Sequence, residues 1–127
     1  MYRLSTTLII LLSLYVTSVH AAEAEIDTDL MQNIEDTNKS LSSNIALENG
    51  KGSASDAKDL SEMFAVVEQH FAKKPGATDA TNLSKKSKDL SLQIIVDVGA
   101  KRFEEANNLA TELSRACKSC HAFYKKD

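Results

Sequence analysis

Tryptophan is absent from this 127-residue chain and aromatic residues make up only 6% of it, so few large ring side chains are available to fill a core. Proline occurs once and glycine four times. Those breakers fall at Gly50 and Gly52, at Pro75 and Gly76, and at Gly99, between helical patterns and never inside one, which cuts the chain beyond its leader into four pieces. Cysteine occurs twice, which leaves no disulfide framework. An excess of basic charge is also missing: 15 Lys and Arg stand against 18 Asp and Glu, a balance that argues against general affinity for nucleic acid. Long apolar runs are scarce. The one from Leu8 to Val16 falls short of the roughly 20 residues that span a bilayer, so no stable membrane insertion is expected.

That short run has another reading. Met1-Tyr2-Arg3 places one positive charge before it, and small residues ending in Ala21-Ala22 follow it, which is the layout of a secretory signal peptide. Val19-His20-Ala21 satisfies the small-x-Ala rule for cleavage after Ala21, with Ala22-Glu23-Ala24 a second site three residues on. The expected division is a leader at 1–21, removed, and one domain with a modest core at 22–127. Without Arg3 that domain carries a formal charge of about −4.

Each of the four pieces has helical periodicity. From about Ile26 to Leu47, Met31, Ile34, Asn38, Leu41 and Ile45 are spaced by three and four, opposite a polar face of Gln32, Glu35, Asp36, Lys39 and Ser42. Ser53 or Ser55 can cap a second helix from about Asp56 to Ala72, with Leu60, Phe64, Val67 and Phe71 as its stripe and Met63 and His70 at the border. Thr78 or Asp79 starts a third, through Leu83, Leu90, Ile94 and Val98. Its Ile94-Ile95-Val96 run alone would suit a strand, but the surrounding pattern and the lack of a partner strand favour helix. The fourth begins near Lys101 and carries Phe103, Ala106, Ala110, Leu113, Cys117, Cys120 and Tyr124 in three-four alternation. Four helices with short connections predict an all-α, antiparallel up-down-up-down four-helix bundle.

Both cysteines belong to Cys117-Lys118-Ser119-Cys120-His121, the C-x-x-C-H signature of c-type haem attachment. Two thiols on one helical turn can each add to a haem vinyl group, and His121, four residues after Cys117, shares their face and can offer its imidazole to the iron. The pair also sits on the seam of the fourth helix, so one covalently attached haem c would enter the bundle interior and become its largest apolar object. Other readings of the motif fit less well. A thioredoxin-like pair belongs after a strand, and nothing before Cys117 reads as one. A zinc site would need two ligands beyond the cysteine pair, and the other histidine outside the leader is His70. A disulfide within one helical turn would be strained and would leave His121 unexplained. Export and haem attachment together point to the periplasm.

The same topology ranks the ligands on the far side of the iron. The start of the first helix lies beside the end of the last, so Met31 falls level with His121 on the inward seam. Its thioether either ligates the iron, raising the reduction potential, or packs against the ring as methionine does in cores. His70, at the end of the second helix, is the rival ligand, and Met63 lies about two turns further away. Lys125, one turn past His121, is either a cation meeting the helix dipole or a charge near the proximal side of the haem.

A signal peptide, four helices of this length and a C-terminal Cys117-x-x-Cys120-His121 followed by Tyr124-Lys125 resemble the class II c-type cytochromes, the cytochrome c′ family, across essentially the whole mature chain. The resemblance implies a four-helix bundle with Cys117 and Cys120 as haem anchors and His121 as proximal ligand. Members with methionine near the start of the first helix are low-spin electron carriers, and Met31 followed by Ile34 and Leu41 matches them. Where that family often has an arginine, about four residues before the distal position, this chain has Asp27. If the register slips by one, Leu30 takes the distal place and the iron is five-coordinate, as in proteins that bind nitric oxide or carbon monoxide. Family dimers pair their first two helices; here the outward Glu35, Asp36, Lys39, Glu62 and Gln69 give no apolar surface for a tight homodimer. The expected function is a periplasmic monohaem carrier of single electrons between redox proteins, with no substrate transformed and so no enzymatic activity.

Overall fold

The computed structural model describes residues 26–124, and among them the chain forms four α-helices, no strand, and no helix long and apolar enough to cross a membrane. These are α1 Thr28–Ala46, α2 Gly50–Ala72, α3 Thr78–Gly99 and α4 Phe103–Tyr124, packed as a four-helix bundle. The leader and its cleavage sites, Lys125, Lys126 and the side chain of Tyr124 lie outside the described residues.

Local chemistry sets the boundaries. Asp27 caps α1 by accepting a 2.7 Å bond from the Leu30 N–H, and Asp29 in the first turn suits the positive end of the dipole. Asn49 does the same for α2, accepting from the Gly52 N–H at 3.1 Å. With that cap in place α2 starts at Gly50, six residues ahead of the expected Asp56, and Ser53 is buried inside the helix. The expectation that glycine stays outside the helices is corrected: Gly50 and Gly52 form the first turn of α2 and Gly99 ends α3. Gly52 is needed there, because a Cβ would stand 2.5 Å from Asn49 Nδ2 and 2.8 Å from Asn44 Oδ1. Gly76 keeps a turn role at φ +79°. Ile94-Ile95-Val96 lies within α3 as helix.

One large apolar residue from each helix, Leu41, Leu60, Ile94 and Leu113, is fully buried, each contributing roughly 2 kcal/mol. The inner face of α3 differs from the expected leucine stripe. Ala80, Ser84, Ser87, Ser91, Ile94 and Val98 are buried there, while Leu83 and Leu90 are only half-buried at its edge. Small residues let α2 and α3 share the most extensive contact in the bundle. Two of the serines need no other partner, since Ser84 and Ser91 return their hydroxyls to the carbonyls of Ala80 and Ser87 at 2.7 and 2.8 Å. α1 packs on α2 and α4, and α3 packs on α2 and α4, with the α1–α4 contact the smallest of the four.

At one end of the bundle the start of α2 meets the end of α3 and the start of α4: Gly50 lies against the Val98 carbonyl and the Phe103 ring. Several polar groups there are paired, although the buried Ser53 Oγ has no hydrogen-bond partner. Ser40 and Asn44 both donate to Asp56 Oδ2, at 2.7 and 2.8 Å, and Asn49 donates to Asn44 at 2.8 Å. The buried Asp97 takes Arg102 Nη2 at 2.5 Å, Arg102 Nε at 3.2 Å and Gln93 at 3.3 Å, which pins the α3–α4 turn.

Candidate functional site

The other end is open. A cavity of about 440 Å³ is bordered by Met31 from α1 and by Cys117, Cys120 and His121 from the last turns of α4. Cys117, Cys120, His121 and Met31 therefore meet at one place, although Met31 and His121 are separated by nearly the whole described chain. Ile34, Phe64, Val67 and Leu83 supply the apolar wall, from α1, α2 and α3. Met31, Cys117 and Cys120 are half-buried, whereas His121, Glu35 and Lys118 are exposed, so the cavity reaches solvent between α1 and α4.

Why these side chains converge follows from the seams. Met31, Ile34 and Asn38 continue inward to the buried Leu41 and Ile45, and Cys120 and Cys117 continue inward to Leu113, Ala110 and Ala106. Each helix thus runs from a packed inner stretch to an outer stretch whose apolar side chains face a void. Ala116, which the three-four alternation omitted, is buried beside Cys117 and also borders the cavity.

Burial pushes the Cys117 thiol from its ordinary 9.0 up to about 11, with the neighbouring Cys120 adding to the shift, and burial raises Cys120 as well. Both thiols are protonated at neutral pH. A disulfide-exchanging pair needs thiolate character, so this environment suits it poorly. Among the described residues, no three His, Cys, Asp or Glu side chains cluster as a metal site. At the rim, Lys39 bonds Glu35 Oε1 at 2.8 Å and holds its carboxyl below the usual range, with a smaller contribution from His121. The same contact raises Lys39.

Two polar residues stand in the wall. Asn38 Nδ2 donates to Ser114 Oγ at 3.1 Å, bridging α1 and α4, while Asn38 Oδ1 is buried with no hydrogen-bond partner. Ser84 and Ser87 line the cavity from α3. Residue type hid the serines, but Ala80, Ser84, Ser87, Ser91 and Ile94 keep three-four spacing, a signal that a small-residue seam would have revealed.

The alternative ligands lie elsewhere. His70 borders a separate groove with Ile26, Lys74 and Pro75, its ring edge-on to Phe71 at 5.2 Å. Leu30 and Met63 are half-buried against the core and are not part of the cavity wall. No protein-family model, curated protein or solved structure matches this chain.

Proposed function

We propose that this chain is a periplasmic monohaem c-type cytochrome that carries single electrons between redox proteins. The observation that carries the reading is the convergence of the chain's two cysteines, in C-x-x-C-H order, with Met31 on one largely apolar cavity. Its volume of about 440 Å³ lies within the roughly 300–1,000 Å³ typical of cofactor pockets. The donor set fits a haem: two protonated thiols suited to addition across vinyl groups, one imidazole beside them, and a thioether on another helix. The chain has no tryptophan to fill that space. When bound, the haem supplies a one-electron iron couple.

The residues of the chain then divide the work. Cys117 and Cys120 anchor the ring to α4, and His121 offers its imidazole from the next turn. Met31 offers its thioether from α1, a soft neutral ligand that favours the reduced iron. Ile34, Phe64, Val67 and Leu83 would shield the bound group from water. The helices run up-down-up-down in this reading. Its support is that early residues of α1 and α3 and late residues of α2 and α4 border the one cavity.

The test is an optical spectrum of ferric and ferrous protein, exported from a host that attaches haem, before and after carbon monoxide. A low-spin spectrum with a sulfur-to-iron charge-transfer band and slow carbon monoxide binding is expected, and Met31→Ala should turn it high-spin. A high-spin wild-type spectrum that responds promptly to carbon monoxide would replace electron transfer by gas binding. Colourless protein with two titratable thiols would defeat the haem reading altogether.

A further inference from the structure

The hydrogen bond between Asn38 and Ser114 has a place in the fold that packing alone does not account for. Met31, Ile34, Asn38, Leu41 and Ile45 make up the inward seam of α1, so Asn38 is the one polar member of an otherwise apolar series. Its partner lies on α4, a bridge across the smallest of the four principal helix–helix contacts. The spacing on the two helices is symmetric: Asn38 comes seven residues after Met31, and Ser114 seven before His121. Seven residues are two turns, or roughly 10.5 Å of helix rise. On antiparallel helices, equal steps outward from the clasp arrive at the same level.

Stability is a poor explanation for this pair. Asn38 Oδ1 is buried without a partner, and a half-satisfied amide in a seam is less favourable than an apolar side chain of similar size. What such an asparagine supplies is register. Apolar residues pack acceptably when one helix slides past another by a turn, whereas an asparagine that has one hydroxyl to meet does not. A slide of one turn, about 5.4 Å, would set Ile34 or Leu41 against Ser114 and remove Met31 from the level of His121.

We propose that the Asn38–Ser114 pair is a register lock between α1 and α4, and that it holds Met31 opposite His121 as the sixth ligand of the iron. Asn38 and Ser114 are positioning residues; neither is assigned contact with the iron. The inference rests on the haem reading above and adds to it a device that decides between six- and five-coordinate iron. Without the lock, α1 samples other registers and the open coordination position becomes available to small ligands.

The experiment compares haem-loaded wild type, Ser114→Ala, Asn38→Leu and Ser114→Thr by optical spectrum, carbon monoxide binding rate and thermal unfolding. The wild-type spectrum separates the two failures: absence of haem defeats the parent reading, whereas haem without the sulfur-to-iron band overturns the present proposal. Given the band, Ser114→Ala should lose much of it and bind carbon monoxide about five-fold faster, as expected for the loss of one net hydrogen bond. Asn38→Leu should act the same way while unfolding at an equal or higher temperature. Ser114→Thr, which keeps the hydroxyl, should behave as wild type. The proposal is overturned if Ser114→Ala keeps the band and the wild-type rate, or if every spectral change merely follows a fall in unfolding temperature. Ser114→Ala removes a single oxygen and is the deciding variant should Asn38→Leu fail to fold.

Discussion

The two ends of the bundle are built on different terms. Where α2, α3 and α4 meet near Gly50, backbone and ring are in contact, Asn44, Asn49 and Asp56 form a connected network, and the carboxylate of Asp97 receives donors from both Arg102 and Gln93. Where α1 and α4 meet near Met31, the helices stand around a cavity, two cysteines are half-buried, and an amide oxygen has no partner. The packed end also leaves one buried hydroxyl, Ser53 Oγ, without a partner, so what separates the two ends is the cavity. At the other end apolar side chains and the polar Asn38, Ser84 and Ser87 line the cavity.

That contrast can be broken from either side. The largest effect belongs to the open end: replacing both Cys117 and Cys120 by Ala should abolish haem retained after denaturation, read by haem staining of a denaturing gel. Circular dichroism of the same variant should stay strongly helical, since the packed end is untouched. Loss of helix as well would show that the closed end does not fold independently of the occupant.

A smaller, purely structural effect is expected from Arg102→Ala. It leaves Asp97, whose side chain is 7% exposed, with a buried charge facing only Gln93. Urea unfolding should report a loss of about 2–3 kcal/mol with no change in the haem spectrum. A spectral change would mean that the two ends are coupled more tightly than their construction suggests.

pH separates the ends in haem-free protein. Cys117 titrates near 9.0 when unfolded but is raised to about 11 by burial in the fold. The folded state therefore holds its proton longer, so this contribution is complete below pH 9.0 and is lost as pH rises through about 11. Stability should fall by about 1–2 kcal/mol over that window, and Cys117→Ala should remove that part of the slope. An unchanged slope in the variant would show the thiol to be solvated.

The smallest effect tests the α1–α2 turn. Gly52→Ala would push a Cβ into Asn49 and Asn44, both at the ends of movable side chains, so the cost is that of a disturbed cap, about 1 kcal/mol. Thermal unfolding would register it, and an unchanged midpoint would mean that the cap reorganises freely.

Much of the fold was legible because its signals are local. The seam of α1, the stripe of α2 and the alternation along α4 are set by three-four spacing, and tertiary contacts did not override them. The start of α2 was not legible, because helix propensity treats Gly50 and Gly52 as breakers, while the Asn49 cap and the crowding of Gly52 by the Asn44 and Asn49 side chains suit glycine in this first turn. The inner face of α3 was misread for a related reason. Serine is usually exposed, but here close approach of α2 favours small side chains and the backbone absorbs the Ser84 and Ser91 hydroxyls. Asn38 was visible in the seam, whereas its link to Ser114, 76 positions away, was not.

By itself the sequence determined the helices, the thiol spacing and the face of α4 that carries Cys117, Cys120 and His121, since these depend on neighbours within one or two turns. Only the tertiary structure decided that Met31 borders the same cavity while Leu30, Met63 and His70 do not. Periodicity selects a helix face, but which seam residue of one helix stands level with a given residue of another depends on register and packing. Those are settled by the whole bundle at once.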